Sequence, residues 1–101
     1  MKTLEDIPSS FMIGGEKITV EWSDTLHTAE DCWGIVEFRT NTITMQSQVG
    51  NDRKIDAIIQ TFLHEVFHVI LNKIGHKDLE SNEQFVDLLA TFMHQYIDTK
   101  K

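Results

Sequence analysis

The spacing of apolar residues changes along this chain from a period of two to a period of about three and a half. From residue 17 to 22 polar and apolar positions alternate, with Ile18, Val20 and Trp22 on one side, which predicts a half-buried strand. Residues 33–39 and 42–46 are rich in β-branched and aromatic side chains and predict two more strands, joined by a tight hairpin turn at Thr40-Asn41. The polar stretch 23–32 reads as a connecting loop. Residues 1–15 read as a loosely ordered lead-in, because Pro8 breaks an early helix and Gly14-Gly15 signals a turn.

Gly50-Asn51-Asp52 marks a helix start, and the period then lengthens. Over residues 53–74 the apolar set runs Ile55, Ile58, Ile59, Phe62, Leu63, Val66, Phe67, Val69, Ile70, Leu71 and Ile74. It covers more than half the helix circumference, so this helix is expected to be mostly buried, with Ala57, Thr61, His64 and His68 in the remaining sector. Gly75 stands where a C-terminal cap is expected. Ser81-Asn82-Glu83-Gln84 fits a capping box with serine at the N-cap. The second helix then runs to about Ile97, burying Phe85, Val86, Leu89, Phe92, Met93 and Tyr96, with Glu83 and Asp87 on its other stripe. The expected fold class is α+β: a small antiparallel three-stranded sheet packed on two helices, in a single domain spanning 1–101.

Composition narrows the function classes. A hydrophobic content of 41% with 25% charged residues describes an ordinary globular chain. The formal charge of −7 repels phosphate, so no nucleic-acid partner is expected. Cys32 is the single cysteine, which excludes an internal disulfide and suits a reducing compartment. The acidic start has no apolar run of signal-peptide length, and no stretch approaches the ~20 apolar residues that span a bilayer. A cytoplasmic location without membrane contact is the expectation.

The chemistry concentrates in His64-Glu65-Val66-Phe67-His68, an HExxH pentad inside the long helix. Residues four apart stack on one helix face, so the two imidazoles can each present a ring nitrogen to one zinc ion at about 2.0–2.1 Å. Glu65 lies about 100° around the helix from His64, placed to act as general base toward a water at the metal's open position. The pentad alone arises by chance in ~2% of chains of this composition, so its place in a buried helix adds weight. Histidines bonded to backbone carbonyls are the bland alternative. Two unpaired imidazoles on a buried stripe, however, carry a desolvation cost that a metal relieves.

A catalytic zinc needs a third protein ligand. Downstream candidates are His76, Asp78, Glu80, Glu83 and Asp87. A third histidine six residues past His68 would place the chain among the metzincins, but Leu71 and Ile74 stand where that pattern needs glycine and histidine. Glu83 is preferred, because it opens a helix that must fold back on the first. Asp87, one turn later, is placed to accept a hydrogen bond from the non-ligating N–H of a zinc histidine. Glu80 is the fallback ligand, and His76 reads as a turn or surface residue.

His64-Glu65-x-x-His68 followed by Asn82-Glu83-x-x-x-Asp87 resembles the gluzincin metallopeptidases. The layout is most similar to the ImmA/IrrE-like family and its small phage-encoded relatives. Trp33-Gly34-Ile35-Val36-Glu37 and Thr42-Ile43-Thr44-Met45 stand in the places of that family's two strands before the metal helix, and Glu83-x-x-Val86-Asp87-x-Leu89-Ala90 is similar to its helical element. The resemblance implies zinc as cofactor on His64, His68 and Glu83, with Glu65 as general base and Asp87 orienting a histidine, His64 foremost. It also implies hydrolysis of a protein or peptide substrate, with regulatory proteins as the substrate class. The shorter His68-to-Glu83 spacing than in thermolysin-like enzymes is a departure from the pattern.

No oxyanion-stabilising group is assignable from the sequence. His27 defaults to a surface loop, Tyr96 to core packing, and His94 lies ~16 Å along its helix from Glu83. The strand 42–46 is the expected sheet edge for substrate pairing, and Cys32 is expected to be a buried free thiol. A zinc-stabilised protein-binding module without catalysis is the competing function, and the intact Glu65 favours the peptidase.

Overall fold

The computed structural model describes residues 3–101. It is α+β, with a four-stranded mixed sheet where the sequence suggested three antiparallel strands. Strands β1 (Ser10–Ile13), β2 (Glu16–Ser23), β3 (Gly34–Glu37) and β4 (Thr42–Gln46) lie in the order β1-β2-β4-β3. β1 and β2 are antiparallel, as are β3 and β4, but β2 and β4 run parallel in the centre.

The additional strand comes from the supposed lead-in. Gly14 and Gly15, with φ of 60° and 77°, form a two-residue turn whose left-handed conformation matches the twist of a hairpin. Pro8 precedes the strand rather than interrupting it, and Ile7 is buried in the core. Residues 1–2 lie outside the described part. Between β2 and β3 the expected loop contains a short helix, α1 (Leu26–Glu30), anchored by buried Leu26. β3 is shorter than the expected 33–39, and its turn to β4 runs over residues 38–41, with Asn41 at φ 50°. Because α1 and β3 intervene between the parallel strands β2 and β4, β4 is enclosed and β3 is an edge. The expectation that 42–46 would offer a free edge is therefore corrected: hydrogen bonding to neighbours on both sides consumes its edges.

Helix α2 (Ile55–Ile74) lies against this sheet. Its Ile58, Ile59, Phe62, Leu63 and Val69 share one core with Ile18, Val20, Ile43 and Met45. Burying each such side chain contributes roughly 1.5–3 kcal/mol. The helix starts two residues later than expected and ends, as expected, at Gly75, whose φ of 85° suits glycine. At that end Lys73 bonds Glu16 at 2.8 Å and Asn41 at 3.1 Å, tying α2 to both hairpin turns.

The expected link between the long helices holds one more turn, α3 (Lys77–Glu80), before α4 (Glu83–Thr99). Asn82, not Ser81, is the N-cap: its side chain accepts from the Phe85 amide at 3.0 Å, while the Ser81 hydroxyl donates back to Lys77 O. The packed face of α4 also differs from expectation. Val86 and Ala90 are buried, whereas Phe92 and Tyr96 are each 63% exposed and Met93 is exposed as well. Small side chains bring α4 close to α2, and that rotation directs the larger residues outward. Among the described residues no helix is long and apolar enough to cross a membrane.

Candidate metal centre

Two helices and the reversal between them bring three ligand-type side chains together. His64 and His68, at i and i+4 on α2, place their Nε2 atoms 3.1 Å apart. The Gly75 cap, the α3 turn and the Asn82 cap reverse the chain, so that Glu83 is the first residue of α4 and faces both rings. Its carboxylate lies 2.8 Å from His64 Nε2 and 3.2 Å from His68 Nε2. These three side chains form a group able to hold a metal ion.

The donor chemistry fits a zinc ion. Behind the two imidazoles stand further carboxylates: Asp87 Oδ1 is 3.4 Å from His64 Nδ1, and Glu80 Oε1 is 3.8 Å from His68 Nδ1. With Nδ1–H turned toward those acids, both Nε2 lone pairs point at each other and at the Glu83 carboxylate. Lone pairs converging at this range repel unless a cation stands between them. Ligands at zinc bond lengths lie roughly 3.4 Å apart in a tetrahedron, so the observed spacings need only widen slightly. Two imidazoles and a carboxylate are a donor set suited to zinc.

The remaining candidates lie elsewhere. His76 is the N-cap of α3 and Asp78 stands in its first turn, both exposed and outside the cluster. Glu80, the fallback ligand, sits behind His68 rather than beside Glu83. Sequence spacing could not reveal this, because Glu80 arrives on the separate turn α3. Tyr96 is exposed rather than packed in the core.

Glu65 occupies the floor of a cleft of about 550 Å³ lined also by Trp33, Gly34, Ile35, His64 and Glu83. It is only 7% exposed. Burial pushes its carboxyl up to about 7; His64 acts in the opposite sense and Glu83 adds to the rise. β3 approaches it closely. A Cβ at Gly34 would stand 2.8 Å from Thr61 Cγ2 and 3.3 Å from Glu65 Cγ, so only glycine lets the strand edge pass there. Cys32 also lines the cleft and is half-buried rather than fully buried. Burial, then the nearby Glu65 charge, pushes its thiol up.

One wall of the cleft is held by a stack that the sequence did not announce. The His27 ring lies parallel to Trp33 with centroids 3.7 Å apart, and the Arg53 guanidinium sits 4.5 Å from the indole centroid. Arg53 also donates to Thr61 Oγ1 at 2.8 Å, linking the stack to α2 one turn before Glu65. His27 is thus committed to the back of Trp33, with its backbone N–H bonded to Gln46.

Comparison with known proteins adds a family. Neither a curated protein nor a solved structure matches the chain. The SprT-like family profile matches residues 5–97, from the turn before β1 to near the end of α4. That span takes in the sheet, the HExxH helix and Glu83 together, and the chain belongs to the SprT-like family, a family of zinc metallopeptidase type.

Proposed function

We propose that this chain is a zinc-dependent peptide-bond hydrolase in which His64, His68 and Glu83 hold the metal and Glu65 handles the proton. The reading rests on Glu65: a buried carboxyl at the cleft floor, beside the ligand cluster and against β3. A site that merely braced the fold would have no use for a carboxyl there. The family membership supports the metallopeptidase class; it carries nothing for an ImmA/IrrE-like placement or a phage origin, and neither is part of the proposal.

A zinc ion in this set supplies Lewis acidity toward a carbonyl oxygen and acidifies a water. Glu65 accepts the proton at its carboxylate and passes it to the leaving amine. Asp87 fixes the His64 tautomer through Nδ1, and Glu80 stands in ion-pair range of the corresponding atom of His68. β3 has one unpaired edge, and its residues Gly34, Ile35 and Val36 line the cleft. A substrate strand adding to that edge passes over Glu65. The proposed substrate class is a cytoplasmic regulatory protein.

The test uses the purified full chain, with zinc measured by elemental analysis and cleavage followed on β-casein. Glu65→Gln is expected to keep zinc and lose cleavage, and His64→Ala to lose both. Screening for new protein N-termini, with Glu65→Gln as the blank, then identifies the substrate. Cleavage that survives Glu65→Gln refutes the reading; biological effects that survive it leave the zinc-stabilised binding module in its place.

A further inference from the structure

At the opposite end of the α2–α4 pair lies a second cluster that the proposed hydrolysis does not use. Asp56, in the first turn of α2, faces His94 and Asp98, which are i and i+4 on the last turns of α4. His94 Nε2 lies 3.1 Å from Asp98 Oδ2 and 3.8 Å from Asp56 Oδ1. Glu83 is eleven residues from His94 on α4, about 16 Å along the helix, so the two clusters are separate.

The hydrogen-bond network decides which atom of His94 faces the acids. Thr91 donates its hydroxyl to Asp87 O at 2.9 Å and so accepts from Gln60 Nε2 at 2.8 Å. The other Gln60 atom, Oε1, is then an acceptor, 3.1 Å from His94 Nδ1, and requires Nδ1 to donate. The neutral ring therefore turns the Nε2 lone pair toward two carboxylates. His94 Nε2 and Asp98 Oδ1 are both shut off from solvent with no hydrogen-bond partner. A proton on Nε2 or a metal cation would complete this arrangement.

Helix electrostatics point the same way. Asp98 places a carboxylate in the last turn of α4, where the helix dipole is already negative, and no basic residue occupies that turn. Cis ligands on one divalent ion at about 2.1 Å lie roughly 3.0–3.4 Å apart. The His94–Asp98 distance meets this already. Asp56, with its side chain 76% exposed, is free to close the remaining gap.

We infer that Asp56, His94 and Asp98 form a second divalent-cation site, taking zinc or a similar borderline metal, which clips the start of α2 to the end of α4. One imidazole and two carboxylates make up its protein donors, and none of the three lines the cleft that holds Glu65. Its role is to fasten α4, the helix that also carries Glu83.

The probe is Zn²⁺ in equilibrium dialysis. The His64→Ala/His68→Ala chain is expected to retain about one equivalent, which Asp98→Asn or His94→Gln in that background removes. Should the double variant fail to fold, Asp56→Asn in the native chain is the alternative, since that side chain is 76% exposed. It is expected to reduce bound zinc from about two equivalents to about one. No zinc on the folded double variant overturns the inference, as does zinc binding that is indifferent to all three substitutions. The three residues would then be a proton-filled polar bridge, and the proposed hydrolysis would be unaffected.

Discussion

The two histidine-centred clusters on the α2–α4 pair have similar donors and different surroundings. At one end, His64, His68 and Glu83 sit beside a cleft, a buried carboxyl and an unpaired strand edge. At the other, His94, Asp56 and Asp98 bridge two helix ends, and none of the three lines that cleft. The difference teaches that converging ligands do not by themselves make a catalytic centre. The proposal of hydrolysis depends on Glu65 and β3, elements found at only one of the two ends.

The strongest way to break this contrast is to remove the one group that lacks a counterpart. Glu65→Gln is expected to lower turnover of a peptide substrate by about 10²–10⁴-fold, the usual contribution of a general base, with both zinc occupancies unchanged. Steady-state cleavage alongside elemental analysis checks it. An equal loss of zinc would show that Glu65 belongs to the ligand set.

Asp87→Asn probes the support behind one imidazole. Losing the charged partner of His64 Nδ1 is expected to weaken zinc binding at the first cluster by about 10–100-fold, leaving the second untouched. Competition with a chelator of known affinity measures it. Gly34→Ala tests how closely β3 must pass Glu65. Because Thr61 Cγ2 would stand 2.8 Å from the added methyl, the substitution is expected to destabilise the fold by about 1–3 kcal/mol and to depress cleavage more than zinc binding. Urea denaturation and the cleavage assay together read both parts.

The smallest effect lies away from both clusters. Glu16, bonded to Lys73 and Asn41, has its carboxyl held below the ordinary value of 4.5, chiefly by the Lys73 hydrogen bond. A lowered folded value means stabilisation that is present above the unfolded value and lost as pH falls through the folded one. Glu16→Gln should therefore cause a small fall in Tm at neutral pH that vanishes in acid. Thermal melts across pH 2–7 check it, and a difference that grows in acid would contradict the sign.

Short-range chemistry explains what was legible in the sequence. HExxH places two imidazoles on one stripe of any helix, and a helix that must fold back brings Glu83 and Asp87 into reach. Long-range pairing was not legible. Nothing local to Thr42–Gln46 reveals that β2 pairs with it in parallel, which encloses β4 and leaves β3 at the rim. Gly14-Gly15 signals the turn it forms, but the strand before it is only four residues long, too short for its alternation to stand out. On α4 the apolar residues outnumber what one face can bury, so periodicity alone could not choose between Val86–Ala90 and the Phe92–Tyr96 side. The second cluster was missed for a related reason: His94 and Asp98 have helical spacing, but Asp56 comes from a distant turn.

α4 buries Val86 and Ala90 and packs Ile97 against the core, with a ligand-type grouping near each of its ends. Beyond Ala90 it leaves Phe92, Met93 and Tyr96 exposed, so its amide hydrogens are expected to exchange faster than those of α2. On the proposed readings, an ion bound at either end would be linked to that opening. Metal removal is then expected to leave the C-terminal helix more open to protease on an intact sheet.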